Sequence, residues 1–176
     1  MKIVLIGGSS DIGKSLVERL AENNEIISTY NSKNPDKDLP TVTNIKLDIS
    51  NKEDINYFIE NNISHEWDIL IFLPATMKPI GLFEEVDGEE WVKSIEVNFT
   101  NQLYLLKKIL PFRKINKELI KTVIFCAGPG TNNATVRHSS YTISKIALIK
   151  ITELLDKEID DIKFSVIGPG WVKTKI

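Results

Sequence analysis

The fold is decided near the N-terminus, by the stretch Lys2-Ile3-Val4-Leu5-Ile6-Gly7-Gly8-Ser9-Ser10-Asp11-Ile12-Gly13. A short apolar run typical of a buried strand ends in a glycine-rich turn, and a helical pattern follows at once. Glycine permits a tight turn and lets the backbone approach a phosphate closely. The N-terminus of the next helix offers free N–H groups and a positive dipole end. The stretch therefore predicts a strand, turn and helix suited to the phosphates of a nucleotide.

The alternation of strand and helix continues along the chain. Apolar runs predict six strands, at residues 2–6, 25–29, 44–47, 68–73, 119–126 and 162–167. Helical patterns lie between them, at residues 11–23, 51–62, 86–109 (with a break near Gly88) and 138–159. Asp11 is predicted to cap the first helix, and Ser50 the second. We predict one α/β domain over residues 1–176, a doubly wound, mostly parallel, Rossmann-like sheet with helices on both faces.

Composition narrows the function classes. The 176 residues are 42% hydrophobic and carry a net charge of -2, with both signs spread along the chain. That distribution argues against nucleic acid or a membrane as a partner. The single cysteine, Cys126, excludes an internal disulfide and fits a reducing compartment. The apolar run at residues 3–6 is too short for a signal peptide or a membrane span. We expect a cytoplasmic protein without a metal site.

A candidate catalytic pair lies in Ser139-Ser140-Tyr141-Thr142-Ile143-Ser144-Lys145. Residues four apart share a helix face, so the Lys145 ammonium can lie near the Tyr141 phenol. A free phenol has a pKa of about 10, and a nearby positive charge lowers it. The pair could then exchange protons with a carbonyl or alcohol. Tyr104 and Lys108 have the same spacing inside an apolar helical run, where a packing role is expected.

In chain order, the glycine-rich turn, Asn98, the Tyr141/Lys145 pair and Pro169-Gly170 resemble the motifs of the short-chain dehydrogenase/reductase family. The resemblance covers essentially the whole chain. It implies an oxidoreductase for a small-molecule carbonyl or alcohol, in which Lys145 binds the nicotinamide ribose and Tyr141 transfers the proton. It implies that Asn98 supports a proton-relay water. The helices at 86–109 and 138–159 correspond to those that pair in family dimers, which implies a homodimer or homotetramer.

The resemblance also implies a set of cofactor contacts. These are Gly7, Ser9, Ser10, Ile12, Gly13, Tyr30, Asn31, Ser32, Lys33, Asp48, Ile49, Pro74, Ala75, Tyr141, Lys145, Pro169, Gly170, Val172 and Thr174. In NAD-binding members an acid ends the second strand, a position that falls near Tyr30 here. No acid is present to repel a 2′-phosphate, and Asn31, Ser32 and Lys33 could hold one. NADP(H) is therefore favoured, with NAD(H) possible.

The chain departs from the family pattern in three places. Phe72-Leu73-Pro74-Ala75 replaces the usual Asn-Asn-Ala-Gly after the fourth strand. The usual catalytic serine position, 13 residues before Tyr141, is Gly128, with Cys126 and Thr131 as the nearest substitutes. Losing one such donor costs on the order of 100- to 1000-fold in rate. Relatives commonly continue beyond a point equivalent to Ile176, and that continuation is expected to cover the pocket. Two hypotheses stay open, an NAD(P)(H)-dependent oxidoreductase and an NADP(H)-binding regulatory or scaffold protein with little turnover.

Overall fold

The computed structural model describes residues 1–35, 38–63, 66–113, 120–128, 130–170 and 172. Its strands are β1 (Lys2–Ile6), β2 (Glu25–Tyr30), β3 (Val42–Lys46), β4 (Ile69–Phe72), β5 (Lys121–Cys126) and β6 (Ile162–Ile167). Its helices are α1 (Asp11–Leu20), α2 (Lys52–Asn62), α3 (Gly88–Ile95), α4 (Asn101–Ile109) and α5 (Ser139–Glu158). A π-helical segment (Glu96–Thr100) joins α3 to α4, and a 3-10 turn (Leu110–Phe112) follows α4. The predicted alternation of strand and helix is confirmed.

The strands form one parallel sheet in the order β3-β2-β1-β4-β5-β6. From β1 the chain moves outward to β3, then returns to place β4 on the other side of β1. This reversal creates a switch point between β1 and β4, and in open α/β sheets ligands bind beyond the carboxyl ends of the strands at such a point. The six-stranded doubly wound sheet is therefore confirmed.

The core lies on both faces of the sheet because successive side chains of a strand point to opposite sides. On β1, Val4 and Ile6 belong to a large apolar cluster with residues of α2, α4 and α5. Ile3 and Leu5 belong to a smaller cluster with residues of α1. These four β1 side chains are at most 2% exposed, which makes β1 the central strand of the core.

A buried ion pair lies at the opposite edge of the sheet, where the strands begin. Lys121 Nζ donates to Asp68 Oδ1 at 2.7 Å, and the backbone N–H of Lys2 donates to Asp68 Oδ2 at 2.8 Å. Burial alone would raise the pKa of Asp68, but these hydrogen bonds and the Lys121 charge outweigh it, so the pKa lies below its usual value. The Lys121 side chain is only 2% exposed. The pair joins β1 and β5 to the residue that precedes β4.

Two details of the helices predicted over residues 51–62 and 86–109 are wrong. Asn51, not Ser50, caps α2, because its side chain accepts the N–H of Glu53 at 2.8 Å. The Ser50 hydroxyl instead donates to Asp48 at 2.7 Å, within the turn after β3. The helix predicted over residues 86–109 is not broken near Gly88. It begins there, and its irregular part is the π-helical segment.

Candidate active site

A cleft of about 410 Å³ opens beyond the carboxyl ends of the strands. Residues at or just after the ends of all six strands line it, as the switch point leads one to expect. It receives most of the residues that the sequence indicated, namely Gly7, Ser9, Ser10, Ile12, Tyr30, Asn31, Ile49, Pro74, Ala75, Tyr141, Lys145, Pro169, Gly170 and Val172. Gly13, Ser32, Lys33, Asp48 and Asn98 do not line it. Thr174 lies outside the described residues.

The glycine-rich turn is shaped by close backbone contacts. Gly7 has a φ of 86°, a conformation that side-chain-bearing residues rarely adopt. A Cβ on Gly13 would lie 2.6 Å from the carbonyl oxygen of Gly7, so α1 packs directly on the turn. Ser10 caps α1 by accepting the N–H of Gly13 at 3.0 Å. The prediction that Asp11 caps this helix is therefore wrong. Asp11 is the first helical residue, and it lines the cleft.

Tyr141 and Lys145 come together on α5 in the same cleft. Lys145 Nζ lies 5.7 Å from the centre of the Tyr141 ring and donates to the carbonyl oxygen of Cys126 at 2.8 Å. Burial lowers the pKa of Lys145 to about 8, and the electrostatic interaction with Cys126 offsets only part of this shift. The ammonium is thus mostly protonated at neutral pH. Among the residues that the structure describes, none accepts or donates a hydrogen bond at the Tyr141 hydroxyl, which leaves it available to a ligand.

The pKa of Tyr141 is raised rather than lowered. Burial is the main cause, and the electrostatic interaction with the neighbouring Cys126 adds to it. No lowering by Lys145 offsets these two causes. In the protein alone, Tyr141 is therefore a protonated phenol, the form that donates a proton.

Gly128 leaves room that Tyr141 occupies. A Cβ built on Gly128 would lie 1.9 Å from the Tyr141 hydroxyl oxygen. The phenol thus lies directly against the Gly128 backbone. Of the two possible substitutes for the usual serine, Thr131 does not line the cleft and Cys126 does. The Cys126 thiol donates to Ala127 at 3.4 Å, and burial raises its pKa despite the charge of Lys145.

Asn98 is buried beneath the cleft rather than exposed in it. Its side chain is 0% exposed, accepts the N–H of Thr76 at 2.8 Å and donates to the carbonyl oxygen of Thr76 at 2.8 Å. It also donates to Ser94 at 3.2 Å. Asn98 therefore clamps the loop after β4. Asp48 has a comparable local role, because its carboxylate accepts the N–H and the hydroxyl of Ser50.

Sequence reasoning missed several lining residues at strand ends and on neighbouring segments. These are Ile6, Thr29, Leu47, Leu73, Met77, Val97 and Ala127. Thr29 also accepts the N–H of Gly7 at 3.0 Å and so supports the glycine-rich turn. Most of these residues could have been found from their position, because the carboxyl ends of parallel strands all lie at the edge of the sheet where the cleft opens. Met77 and Val97 are neighbours in the chain of Thr76 and Asn98, which hydrogen-bond each other. No pattern in the sequence indicated that they line the cleft.

Two further site classes were searched for. Across the described ranges, no three His, Cys, Asp or Glu side chains are grouped so as to hold a metal ion. Within the same ranges, every helix is too short or too polar to span a membrane.

Comparison with known proteins gives the family. A family model described as short chain dehydrogenase matches residues 1–176. The chain belongs to the short-chain dehydrogenase family of oxidoreductases. It is 25% identical to 3beta-hydroxysteroid dehydrogenase 2 of Eggerthella lenta, over 98% of this chain and 71% of that protein. It is 29% identical to 3-ketodihydrosphingosine reductase of Dictyostelium discoideum, over 95% of this chain and 58% of that protein.

Solved structures agree on the fold. A short chain dehydrogenase family protein from Francisella tularensis superimposes with a TM-score of 0.89 at 22% identity, covering 99% of this chain and 71% of that one. A 4-hydroxyisoleucine dehydrogenase complexed with NADH and succinate gives 0.83 at 24% identity, covering 96% and 78%. The chain thus spans between about three fifths and four fifths of the length of these relatives.

Proposed function

We propose that this chain acts as a nicotinamide-dependent oxidoreductase that interconverts a carbonyl and an alcohol. One observation carries the proposal. The Tyr141 hydroxyl and the Lys145 ammonium line the same cleft as the glycine-rich turn at the N-terminus of α1. A proton donor, a positive charge and a phosphate-binding backbone thus share one continuous space. Family membership supports the oxidoreductase class over the non-catalytic alternative.

The residues of the cleft fit a dinucleotide. The positive φ of Gly7 and the backbone packing of Gly13 make the close turn that a pyrophosphate needs. The turn, the ends of β2 and β3, and the loops after β4 and β6 would hold it. A bound nicotinamide supplies or accepts the hydride. In reduction, Tyr141 gives its hydroxyl proton to the substrate oxygen. In oxidation, the phenolate takes that proton back.

Replacing Tyr141 with phenylalanine tests the proposal. We expect turnover to fall on the order of 100- to 10,000-fold, the usual contribution of a general acid. Affinity for the cofactor should stay within about twofold, since only a hydroxyl is lost. Tyr104→Phe is the matched control, because Tyr104 also has a lysine near its ring, Lys108 at 5.5 Å, but its hydroxyl donates to Asn56 outside the cleft. Turnover of Tyr141→Phe equal to that of Tyr104→Phe would refute the assignment.

NADP(H) is the proposed cofactor. No acid stands at the end of β2, where Tyr30 and Asn31 line the cleft. Ser32 and Lys33 do not line it, and Asp11 adds a negative charge, so Asn31 is the main support for a 2′-phosphate. Fluorescence titration with NADPH and with NADH should show tighter binding of NADPH. Asn31→Asp should then weaken NADPH more than NADH, and a wild-type preference for NADH would overturn this choice.

We also propose that the chain forms a homodimer or homotetramer in the cytoplasm. Val92 on α3 and Ile143, Ile146 and Leu154 on α5 are exposed apolar residues on helices of the predicted interface. The cytoplasmic location is supported by the lone cysteine, Cys126, which is unpaired. Light scattering after gel filtration should give a mass at least twice 19.9 kDa, and a monomer would refute the assembly.

A further inference from the structure

The helical stretch from α3 to the start of α4 buries a row of polar side chains. Ser94, Asn98, Asn101 and Gln102 are each at most 2% exposed. A buried amide is unfavourable unless it is hydrogen-bonded, so each needs partners. None of the four lines the cleft. Several of their partners are backbone groups of the loops that line it.

Gln102 reaches the loop after β4. Its Nε2 donates to the carbonyl oxygen of Pro74 at 3.0 Å, and also to those of Asn98 at 3.0 Å and Val97 at 3.2 Å. Three acceptors converge on an NH2 group with two hydrogens, so two of them share one hydrogen, and the amide nitrogen rather than the amide oxygen faces all three. Pro74 and Val97 both line the cleft. Gln102 therefore links two segments of one cleft wall by hydrogen bonds to their carbonyl oxygens, without lining the cleft itself.

Asn101 reaches a different loop. Its Nδ2 donates to the carbonyl oxygen of Ile49 at 2.9 Å, and Ile49 lines the cleft after β3. Neighbouring helical residues point about 100° apart, which lets Asn101 and Gln102 hold separate loops. Asn98 adds its clamp on Thr76. One turn of helix thus fixes the loops after two strands, β3 and β4.

The other ends of these two amides have no partner. Asn101 Oδ1 and Gln102 Oε1 are buried without a hydrogen bond to any described residue. An unpaired buried acceptor is unfavourable, so the amides stabilise the structure through their donors. An apolar residue of similar size would remove the unpaired acceptor together with the donors. Overall stability should then change little, while the loop carbonyls lose their anchors.

We propose that Asn101 and Gln102 are positioning residues, which hold the loops after β3 and β4 in the arrangement that binds the cofactor. The loop after β4, Leu73-Pro74-Ala75, carries no amide side chain of its own. The amide groups that anchor it come from the helix instead. The part of the inference that concerns cofactor affinity rests on the proposed function. The part that concerns loop order does not.

Hydrogen exchange of the protein without cofactor tests loop order. The amides of Thr76 and Ser50 report on the two loops, because each donates to a side chain within the clamp or turn, at 2.8 Å and 2.9 Å. Gln102→Met should speed exchange at Thr76 about tenfold and leave Ser50 unchanged, since one anchoring hydrogen bond is lost. Asn101→Leu should do the reverse. This reciprocal pattern is one that general destabilisation does not produce.

Thr152→Val is the matched control. Thr152 is 5% exposed, and its hydroxyl donates to the carbonyl oxygen of Leu148 in its own helix rather than to either loop. It should change neither reporter amide. Exchange at Thr76 in Gln102→Met within twofold of wild type, or equal acceleration along the whole chain, would overturn the proposal. If Gln102→Met does not fold, Asn101→Leu and the Ser50 amide decide it.

Cofactor titration completes the test. Each variant should weaken NADPH binding about tenfold and raise KM with little change in kcat, because the proton-transfer residues are untouched. Loosened loops with unchanged affinity would overturn the positioning role. If wild type binds neither NADPH nor NADH, the proposed function fails, and the exchange pattern alone decides whether Asn101 and Gln102 order the loops.

Discussion

Replacing Gly128 with serine should lower turnover, although serine is the residue that the family usually has there. A Cβ on Gly128 would lie 1.9 Å from the Tyr141 hydroxyl oxygen and 2.8 Å from the ring carbon that bears it. To reach a van der Waals contact of 3.4 Å, the hydroxyl must move about 1.5 Å. The Tyr141 ring is only 8% exposed, so the movement also disturbs its packing.

The size of the loss follows from that movement. A misplacement of about 1 Å in a reacting group costs on the order of 100-fold in rate. A correctly placed new donor returns on the order of 100- to 1000-fold, but only if it acts on the same substrate oxygen as Tyr141. A displaced Tyr141 removes that condition. Because the Cβ causes the clash, Gly128→Ala and Gly128→Ser should both lose about 100-fold.

The assay is kcat/KM for NADPH-dependent reduction of a carbonyl compound selected from an aldehyde and ketone panel. Gly88→Ser is the control, because a Cβ on Gly88 meets nothing within 4 Å. The decisive comparison is between serine and alanine at position 128. A serine variant faster than wild type beside a slower alanine variant would refute the reasoning. The serine hydroxyl would then outweigh the displacement of Tyr141 by the Cβ, and Gly128 would merely lack a hydroxyl.

Three further predictions concern stability. Asp68→Asn should cost about 3 kcal/mol, because Lys121 keeps a buried charge without its partner. The contribution of Asp68 should be fully present above its unfolded pKa of about 3.9 and fade as pH falls through its lower folded pKa, which urea unfolding can follow. Lys145 has a folded pKa of about 8, below its unfolded value, so wild type should gain stability over Lys145→Met as pH rises from about 8 to 10. Gly13→Ala would favour a free helix by about 1 kcal/mol, yet its Cβ would meet the oxygen of Gly7 at 2.6 Å, so Tm should fall, and a higher Tm would contradict this packing.

Much of the fold could be predicted because strand burial leaves a plain mark in the sequence. The predicted bounds of β1 and β6 are those observed, since each is a short apolar run that begins and ends abruptly. Helix ends were less predictable. Ser50 and Asn51 are both good caps by residue type. The hydroxyl of Ser50 donates to Asp48 instead, so Asn51 caps the helix. Such competition between neighbours is not visible in propensity alone.

Some features of the site could be predicted from the sequence, and others could not. The Tyr-x-x-x-Lys spacing placed an ammonium beside the ring both at Tyr141 and at Tyr104, at 5.7 Å and 5.5 Å. Only the preceding strand and loop distinguished the two, and that distinction placed Tyr141 in the cleft. The raised pKa of Tyr141 could not be predicted, because its main cause is the burial of the phenol, which residue spacing does not show. The anchoring by Gln102 depends on a helix irregularity that no local pattern indicated.

The two edges of the sheet can be altered independently. The Asp68–Lys121 pair stands where the strands start, and the cleft lies where they end, with four to six residues of each strand between. Substitutions that are far apart and share no partners usually have additive effects on free energy. Substitutions that raise the free energy of unfolding at the starting edge should therefore offset the destabilisation caused by substitutions in the loops and the cleft. For directed evolution of this chain, that edge is the place to raise tolerance before the cleft is altered.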